Sequence, residues 1–304
     1  MRLLITGDSG LLGLNLALEA AGQHEVFGTV NSHALDTTDF HVIQTDLLGP
    51  GAVEQALERA QPDWVIHCAA LANVDACEAD PALAYQLNTE LPAKLAKHVA
   101  RGGARLVHIS TDAVFDGRRG DYSEEDQPNP LGVYTRTKLD GEHLVMRANP
   151  DAAIARVNLF GWSLSGKRSL AEFFFKNLMA WKRVMGFTDV YFCPLLANHL
   201  AHLLLEMLEH GLTGIYHVVS SECITKYDFG LRLARRLNLD ETLITPTSVN
   251  QGGLIATRSP NLSLRTDKLA QALDITIPNI STGLEGFFTL YQQGYPQRLR
   301  ALCV

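Results

Sequence analysis

The chain has 304 residues, 46% of them hydrophobic and 19% charged, which is typical of a globular protein with one large α/β unit or a large domain and a smaller partner. The formal net charge of −7 argues against a nucleic-acid partner that is held by general electrostatic attraction. No stretch approaches the roughly 18 apolar residues of a membrane span, and a glycine loop follows the first strand at once where a signal peptide would need an apolar run, so we expect a cytoplasmic protein without membrane contacts.

Short apolar runs alternate with amphipathic stretches through the first half of the chain, which is the pattern of βαβ units around a parallel sheet. Several runs, such as LLIT and WVIH, are nearly continuous hydrophobes, as expected for strands with both faces covered. Helices are predicted over residues 11–21, 51–60, 90–101 and 134–147. Strands are predicted over residues 2–6, 25–30, 41–44, 64–67, 106–110 and 153–157.

The alternation is looser after about residue 158. Helices are predicted over 166–183, 196–210 and 225–238, a strand over 215–219, and a loop over 245–263. The predicted fold is a Rossmann-like, doubly wound parallel sheet with a smaller α+β substrate-binding domain. We expect residues 1–160 to form the first domain, with 190–218 returning to it. Residues 161–189 and 219–304 form the smaller domain.

A glycine triplet joins the first predicted strand to the first predicted helix. Gly7, Gly10 and Gly13 have the GxxGxxG spacing that permits a tight turn, close approach of the backbone to a pyrophosphate, and close helix packing. The helix that follows offers unpaired N–H groups and the positive end of its dipole to a phosphate. The loop therefore predicts a dinucleotide cofactor.

The end of the second strand normally selects between NAD and NADP. An acidic residue there would bind the ribose 2′-hydroxyl of NAD and repel NADP, but Asn31, Ser32 and His33 follow this strand. The cofactor is therefore predicted to be NADP or NAD, with NADPH slightly favoured. Asp46 and Leu47 follow the third strand, where the carboxylate can either accept from the adenine amino group or serve a turn before Gly49 and Pro50.

A tyrosine and a lysine share one face of the helix predicted over 134–147. Tyr134 and Lys138 are four residues apart, and a nearby ammonium favours the phenolate and lowers the pKa of a tyrosine towards neutral pH. The strand at 106–110 ends in Ser110, Thr111 and Asp112. At the carboxyl end of a parallel sheet, Thr111 would face a substrate carbonyl. Asp112 either lies beside it or caps the loop.

The order of these motifs resembles the extended short-chain dehydrogenase/reductase superfamily, and within it the dTDP-4-dehydrorhamnose reductase family. The resemblance covers nearly the whole chain. It rests on TGDSGLLG (6–13), HCAALANVDACE (67–78), QLNTELPAKLA (86–96), STDAVFDG (110–117), NPLGVYTRTKLDGE (129–142) and RSPNLSLRTDKL (258–269).

The resemblance implies NAD(P)H-dependent reduction of a 4-keto deoxysugar nucleotide. Tyr134 would protonate the C4 oxygen, Thr111 would polarise it, and Lys138 would hold the ribose. The substrate-binding candidates are Thr111, Asp112, Asn158, Arg258 and Asn261, with Arg258 suited to a phosphate. The cofactor-binding candidates are Gly7, Ser9, Gly10, Leu11, Leu12, Gly13, Asn31, Asp46, Leu47, Ala69, Ala70, Leu71, Asn88, Ser110, Tyr134 and Lys138.

The sequence departs from the family pattern on the side of the sugar. Ala113 stands where the family has a tyrosine, and Leu159 where it has a tryptophan that contacts the sugar. Trp162 lies three residues later and is not assumed to replace it. His67 and Cys68 stand where an asparagine is expected. Reductase chemistry is therefore better supported than specificity for a rhamnose precursor.

Two other readings of the sequence stay open. One is a nucleotide-sugar epimerase or dehydratase that retains NAD and uses the same tyrosine and lysine. The other is a noncatalytic NADP-binding regulatory subunit, like that of methionine adenosyltransferase. We expect no metal site, because the HxxH of His199 and His202 lacks further ligands. The five cysteines show no CxxC pair and are expected to be reduced. The oligomeric state is left open, with a homodimer as one option.

Overall fold

Strands and helices alternate from the N-terminus onward, as the hydrophobic pattern predicts. A computed structural model describes residues 1–251 and 259–302. Its strands are β1 (Arg2–Thr6), β2 (Glu25–Val30), β3 (His41–Gln44), β4 (Trp64–His67), β5 (Arg105–Thr111), β6 (Ala153–Val157), β7 (Leu159–Phe160), β8 (Val184–Phe187), β9 (Tyr191–Phe192), β10 (Leu195–Leu196), β11 (Gly214–Val218), β12 (Ile224–Thr225) and β13 (Ile244–Thr247).

Helices occur between the strands of the first half of the chain and again after β6. A π-helical turn, Gln86–Glu90, separates two of them, and 3-10 turns occupy Asp112–Val114, Glu241–Leu243 and Val249–Gln251. The α-helices are α1 (Leu11–Ala20), α2 (Ala52–Ala60), α3 (Val74–Ala79), α4 (Pro81–Tyr85), α5 (Leu91–Gly102), α6 (Val133–Ala148), α7 (Leu170–Met179), α8 (Ala197–Glu209), α9 (Lys226–Arg236), α10 (Asp267–Leu273), α11 (Ile280–Gln292) and α12 (Tyr295–Ala301).

The main sheet has the doubly wound order β11-β6-β5-β4-β1-β2-β3. Every pairing in it is parallel, so the carboxyl ends of its strands meet at one edge. The strand order reverses between β1 and β4, where Thr6 lies beside His67. Ligands of such sheets bind in the crevice at this switch point. The predicted Rossmann-like α/β fold is confirmed.

Both faces of the sheet are covered by apolar packing, which explains the nearly continuous hydrophobic strands. Leu3 and Ile5 belong to the hydrophobic cluster on one face, together with residues of α1 and α8. Leu4 and Val65 belong to the cluster on the other face, with residues of α2 and α5. Alternate residues of β1 thus point into two cores.

The helix predicted over 166–183 is shorter in the structure and spans Leu170–Met179. Ser169 caps its start by accepting a hydrogen bond from the N–H of Glu172, whose carboxylate in turn accepts from the N–H of Ser169. The helix ends before Trp181, which has a φ of 55°. Short two-stranded sheets, β10-β7, β12-β9 and β13-β8, accompany this region. The division into two domains at the predicted boundaries stays a prediction.

The expectation that all cysteines are reduced is wrong for one pair. Cys193 and Cys223 form a disulfide across 30 residues. The antiparallel pairing of β9 with β12 brings the two cysteines together, because Cys193 follows Phe192 and Cys223 precedes Ile224. Cys68 and Cys77 are free, and Cys303 lies outside the described residues. Within the ranges described, no helix is both long and apolar enough to span a membrane.

Candidate active site

The glycine loop after β1 has the geometry that the sequence motif requires. Gly7 has a φ of +76°, and a Cβ placed on it would lie 2.8 Å from the backbone of Ala69 at the end of β4. A Cβ on Gly13 would lie 2.5 Å from the carbonyl oxygen of Gly7, so only glycine lets α1 pack this closely on the loop. Gly10, the N-cap of α1, makes no side-chain cap. The first N–H groups of α1 therefore face the switch point without a side-chain acceptor.

The ends of β1 and β4 are joined by a buried polar contact that the sequence did not reveal. Thr6 Oγ1 lies 2.6 Å from His67 Nδ1 and also accepts from the N–H of Ala69 at 3.2 Å. The His67 ring stacks on His108 of β5, with 5.4 Å between the ring centroids. Burial, together with the charge of Lys138, lowers the pKa of His67 to about 3, so this ring is neutral. Sequence analysis recorded His67 only as a departure from the family pattern.

Asn88, a cofactor-binding candidate in the sequence, fixes the loop that follows β4. It is fully buried in the π-helical turn. Its Oδ1 accepts from the N–H of Leu71 at 2.9 Å, and its Nδ2 donates to the carbonyl of Leu71 at 3.1 Å and to Oγ1 of Thr137 at 3.2 Å. Asn88 thereby ties the loop of Ala69, Ala70 and Leu71 to α6, which carries Tyr134 and Lys138.

The candidates near the adenine side have structural contacts of their own. Asp46 is exposed, and its Oδ1 accepts from the N–H of Leu48 at 3.0 Å, which is the turn role left open above. Leu47 is buried in the cluster on one face of the sheet. Asn31 is exposed after β2, and its carbonyl accepts a hydrogen bond from Gln44. Ser9 lies within the glycine loop, partly buried.

The structure places Thr111 and Tyr134 beside each other. Thr111, the last residue of β5, is 7% exposed and lies close enough to the phenol of Tyr134 on α6 to oppose the rise of its pKa. One turn further along α6, Lys138 is 3% exposed and its Nζ donates to the carbonyl of Ile109 at 2.6 Å. The three side chains thus converge at the carboxyl end of β5, beside the switch point.

The pKa of Tyr134 differs from the sequence expectation. Desolvation of the phenol, with a further contribution from the nearby Asp112 carboxyl, raises this pKa to about 12, whereas a value lowered by Lys138 was expected. Lys138 turns its ammonium to the β5 backbone, and burial lowers its own pKa to about 8. Tyr134 is therefore a protonated phenol at neutral pH in this arrangement, and it is suited to donate a proton.

Ser110 has a contact that sequence analysis missed. Its hydroxyl donates to the carboxylate of Glu142, which is fully buried on α6. The same carboxylate accepts two hydrogen bonds from Arg156 of β6, at 3.0 and 2.7 Å. This buried group links β5, β6 and α6 behind Thr111 and Tyr134. The Ser110 side chain is thus occupied within the protein, and its predicted cofactor contact stays a prediction.

The predicted substrate residues Asp112 and Asn158 lie together. Asp112 is 4% exposed, and its Oδ2 accepts from Nδ2 of Asn158 at 2.6 Å. Its Oδ1 accepts from the hydroxyl of Thr111 at 3.1 Å. Burial raises the pKa of Asp112 to about 6, against the opposing effect of these bonds and of the Lys226 charge at the start of α9. Lys226 was not predicted from the sequence, where it is marked only by its place at a helix start.

The other substrate-side candidates, Arg258 and Asn261, come from the segment before α10. Asn261 accepts from the N–H of Ser263, and its own N–H donates to the carbonyl of Gly117 at 3.1 Å. Arg258 lies outside the described residues. Ala113 is partly exposed within the 3-10 turn, and its N–H donates to Oγ1 of Thr111 at 3.2 Å. Trp162 is 2% exposed, and its Nε1 donates to the carbonyl of Phe287, so it belongs to the core.

The described residues contain no cluster of histidine, cysteine and carboxylate side chains that could hold a metal ion. His202 of the HxxH pair contacts Glu19 instead, with 3.3 Å between Nε2 and Oε2. The site thus offers a glycine loop, an open helix N-terminus, a protonated phenol, a hydroxyl and an ammonium. This set can bind a dinucleotide and protonate a carbonyl oxygen.

Comparison with known proteins finds one family across the chain. The family model described as RmlD substrate binding domain matches residues 1–293. A probable low-salt glycan biosynthesis reductase Agl14 of Haloferax volcanii is 36% identical over 250 residues, covering 80% of this chain and 83% of that protein. The dTDP-4-dehydrorhamnose reductase of Mycobacterium tuberculosis is 33% identical over 278 residues, covering 89% and 87%. Methionine adenosyltransferase 2 subunit beta of Danio rerio is 32% identical over 277 residues, covering 88% and 84%.

Solved structures show the same fold over the whole length. A dTDP-4-dehydrorhamnose reductase of Clostridium acetobutylicum superposes with a TM-score of 0.82 at 28% identity, covering 96% of this chain and 100% of that chain. The dTDP-4-dehydrorhamnose reductase of Bacillus anthracis, solved in complex with NADP, superposes with a TM-score of 0.82 at 25% identity, covering 95% and 98%.

Proposed function

Because the chain belongs to the RmlD substrate-binding-domain family, the family of the dTDP-4-dehydrorhamnose reductases, we propose that it is an NAD(P)H-dependent reductase of a nucleotide-activated 4-keto-deoxysugar. The observation that supports this most directly is the placement of Thr111 beside Tyr134, one helical turn from Lys138, at the carboxyl end of β5. This is the position in a doubly wound sheet where a substrate meets a dinucleotide.

The proposed reaction uses the phenol as its acid. A nicotinamide cofactor, when bound, would supply the hydride for the C4 carbon of the sugar. Tyr134, protonated at neutral pH because its pKa is raised to about 12, gives its proton to the carbonyl oxygen. The Thr111 hydroxyl orients the phenol, and Lys138 holds the ribose with its ammonium.

The residues present fit a dinucleotide. The spaces beside Gly7 and Gly13 are closed to any side chain, so the backbone can approach a diphosphate there. The N–H groups of Leu11, Leu12 and Gly13 open α1 without a side-chain cap. We propose that these groups, with Ser9 and Gly10, hold the diphosphate of NADP or NAD, and that Ala69 to Leu71 line the nicotinamide side.

NADPH is the proposed preferred form. The residues after β2 are Asn31, Ser32 and His33, exposed and without an acid, and Ser32 Oγ lies 3.1 Å from Nδ1 of His33. The 2′-phosphate that distinguishes NADP from NAD would therefore meet no negative charge from these three residues. We expect wild type to have a higher kcat/KM with NADPH than with NADH, and Ser32→Asp to reverse this order. A preference for NADH in the wild-type protein would contradict the assignment.

The decisive test is NADPH oxidation, followed by absorbance with a panel of dTDP- and UDP-linked 4-keto-6-deoxysugars. We expect turnover with at least one of them, and a loss of about 10²-fold or more in Tyr134→Phe, the usual contribution of a general acid. Tyr291→Phe is the matched control, since Tyr291 lies on α11 and packs beside Trp162. Absence of oxidation with every sugar, or full activity in Tyr134→Phe, would refute the proposal.

A second candidate follows from the similarity to methionine adenosyltransferase 2 subunit beta. Under it the chain binds NADP without reducing a sugar and regulates a partner enzyme. NADP binding by calorimetry, without any keto-sugar turnover, is the result expected of such a subunit. An epimerase or dehydratase would instead copurify with NAD that does not exchange. The placement of Thr111 beside Tyr134, one helical turn from Lys138, favours the reductase over the regulatory subunit.

Three further proposals accompany the reductase assignment. We propose that residues 161–189 and 219–304 bind the sugar nucleotide and that 190–218 returns to the cofactor domain, as β11 joins the main sheet. We propose a cytoplasmic location. Disulfides such as Cys193–Cys223 are rare in reducing compartments. Thiol quantification directly after cell lysis therefore tests the location by measuring whether this pair is oxidised in the cell. The oligomeric state stays open, with a homodimer as one option that light scattering tests.

A further inference from the structure

The loop between β2 and β3, residues 31–40, is the segment that chooses between the two cofactors in the proposed function, and we call it the adenosine-side loop. Residues 31–33 at its start are exposed and would meet the 2′-phosphate of NADPH. Two further exposed residues, Asp36 and Asp39, carry carboxylates. An exposed loop presents its first residues in one geometry only if other parts of the fold hold it, because ordering a chain costs entropy.

The end of the chain holds this loop. The N–H of Asp36 donates to the carbonyl of Leu302 at 2.9 Å, and Oδ2 of Asp39 accepts from Nη2 of Arg298 at 2.8 Å. Arg298 lies on α12, and Leu302 follows the end of that helix. Leu35 is 7% exposed and belongs to the same hydrophobic cluster as Leu302. A backbone hydrogen bond, an ion pair and an apolar anchor thus fasten the adenosine-side loop to α12.

Helix α12 is itself anchored on the cofactor side of the fold. The hydroxyl of Tyr295 at its start donates to Oδ1 of Asn15 on α1 at 3.0 Å. Leu299 is fully buried in the cluster that covers one face of the main sheet. Since α1 begins at the glycine loop, α12 connects the proposed diphosphate site with the adenosine-side loop. The helix falls within the segment 219–304, which is proposed to bind the sugar nucleotide, but these contacts belong to the cofactor-binding part.

The ion pair also changes the charge that a phosphate would meet. Without Arg298, the Asp39 carboxylate would be an unpaired negative charge on the loop that is proposed to hold the 2′-phosphate. An exposed ion pair contributes little to the stability of the fold. An unpaired carboxylate, however, repels an anion within about one Debye length, roughly 10 Å at 0.1 M ionic strength. The loss of Arg298 therefore affects NADPH, with its additional phosphate, more than NADH.

We propose that α12 is a positioning element for the cofactor, in which Arg298 and Leu302 hold the adenosine-side loop for the 2′-phosphate of NADPH. This role rests on the proposed function and deepens it, because it names the part of the chain that maintains the preference for the phosphorylated cofactor. Substitutions on the last helix should therefore change the affinity for NADPH and leave the reduction at saturating cofactor unchanged.

Arg298→Glu is the first test, because it places a second carboxylate beside Asp39. We expect the Kd of NADPH, measured by calorimetry, to rise about tenfold, and that of NADH to rise less than about threefold. The kcat at saturating NADPH should stay within about twofold of the wild type, since the residues proposed for the reduction are unchanged. Arg298→Lys keeps the charge and should keep the affinity for NADPH.

Arg300→Glu is the matched control. It makes the same change of net charge on the same exposed side of the chain's last helix, but Nη2 of Arg300 lies 3.8 Å from the position of a Cβ on Gly166. We expect the Kd of NADPH to change less than about twofold in this variant. Equal losses of affinity in Arg298→Glu and Arg300→Glu would show a general effect of charge and would overturn the proposal.

A second substitution tests whether Arg298 acts through Asp39. Asp39→Asn in the Arg298→Glu protein removes the repulsion between the two carboxylates, and the Kd of NADPH should return to within about threefold of the wild-type value. Asp39→Asn alone supplies the fourth member of the cycle. If the effects of the two substitutions add independently, the ion pair does not position the loop and the proposal is wrong.

Binding of adenosine fragments separates this role from the proposed function. The fragments 2′,5′-ADP and 5′-AMP differ in the 2′-phosphate and need no turnover. We expect the wild type to bind 2′,5′-ADP more tightly than 5′-AMP, and Arg298→Glu to lose most of that difference. A wild type that binds neither NADPH nor NADH refutes the proposed function and this role with it. A purely structural role for α12 predicts a lower melting temperature of Arg298→Glu with the wild-type preference for NADPH, and that result refutes the role alone.

Discussion

The buried ammonium of Lys138 makes the stability of the protein depend on pH in a direction that can be measured. Lys138 is 3% exposed, and burial lowers its pKa from the ordinary 10.5 to about 8. At about 1.4 kcal/mol for each tenfold change in proton affinity, this difference corresponds to about 3 kcal/mol. The charged form is the one that burial disfavours, so the native state is penalised wherever Lys138 is protonated in both states.

The direction in which the free energy of unfolding changes with pH follows from the number of protons bound in the native and the unfolded state. Below about pH 8 both the native and the unfolded chain hold the Lys138 proton, and the full penalty is present. Between about pH 8 and 10.5 the unfolded chain holds more protons than the native one, so the free energy of unfolding rises with pH. Between pH 7 and 10 we expect Lys138 to add about 2.5 kcal/mol to the stability.

Urea unfolding of the apoprotein at pH 7 and pH 10, for the wild type and Lys138→Met, isolates this contribution. Methionine keeps the apolar stem and removes the charge. Tyr134, whose pKa is raised to about 12, also makes stability depend on pH above 10, but it contributes equally to both proteins and cancels in the difference. We expect the free-energy advantage of the variant over the wild type to shrink by about 2.5 kcal/mol from pH 7 to 10. A difference that stays constant would refute the reasoning.

Three further changes test the packing around the site by thermal or urea unfolding. Glu142→Gln leaves the buried guanidinium of Arg156 without its ion pair, and a loss of about 3–5 kcal/mol is expected; a loss below about 1 kcal/mol would contradict full burial of the pair. Cys223→Ser opens the disulfide across 30 residues and should cost about 3–4 kcal/mol, with a melting temperature that no longer responds to reductant. Gly28→Ala places a Cβ 2.1 Å from Oδ2 of Asp8 and should cost about 1–3 kcal/mol, and Asp8→Ala in the same protein should recover most of that loss.

The strands of the main sheet could be predicted closely because their information is local. Strands β1 to β4 and β6 have the predicted bounds, and β5 is longer by one residue at each end. A strand with both faces covered must be apolar at consecutive positions, and the glycine loop and the turn residues mark where each run ends. The position of β1 at the switch point is consistent with the glycine motif, since a dinucleotide loop after the first strand requires it there.

The polar contacts of the site could be predicted only in part. The sequence identified Thr111, Tyr134 and Lys138, and the structure brings them together. The sequence did not show that Ser110 is occupied by Glu142, or that Lys138 turns to the carbonyl of Ile109. Such contacts depend on which side chains are buried together in the folded chain. Burial likewise raises the pKa of Tyr134, whereas the ammonium of Lys138 was expected to lower it.

The disulfide and the start of the helix predicted over 166–183 could not be predicted, because both depend on contacts that the local sequence pattern does not show. The disulfide of Cys193 with Cys223 needs the pairing of β9 with β12, and these strands have two residues each. A strand so short carries no periodic signal. The early part of the helix predicted over 166–183 is instead a loop held by Glu172, which accepts from the hydroxyl of Ser163 and the N–H of Arg168.

The loop at Ala113 explains how proton transfer and substrate choice can change separately in this fold. Ala113 contributes to the Thr111 geometry through its N–H alone, which any residue other than proline provides. An alanine in place of the family's tyrosine therefore leaves the hydrogen bonds of Thr111 with Asp112 and with the N–H of Ala113 in place, while it removes an aromatic ring from what the resemblance implies is the sugar side. Trp162 does not restore a ring there, because it is stacked on Phe287 with 3.9 Å between centroids. We propose that the substrate differs from the rhamnose precursor in the part of the sugar that would lie next to Ala113.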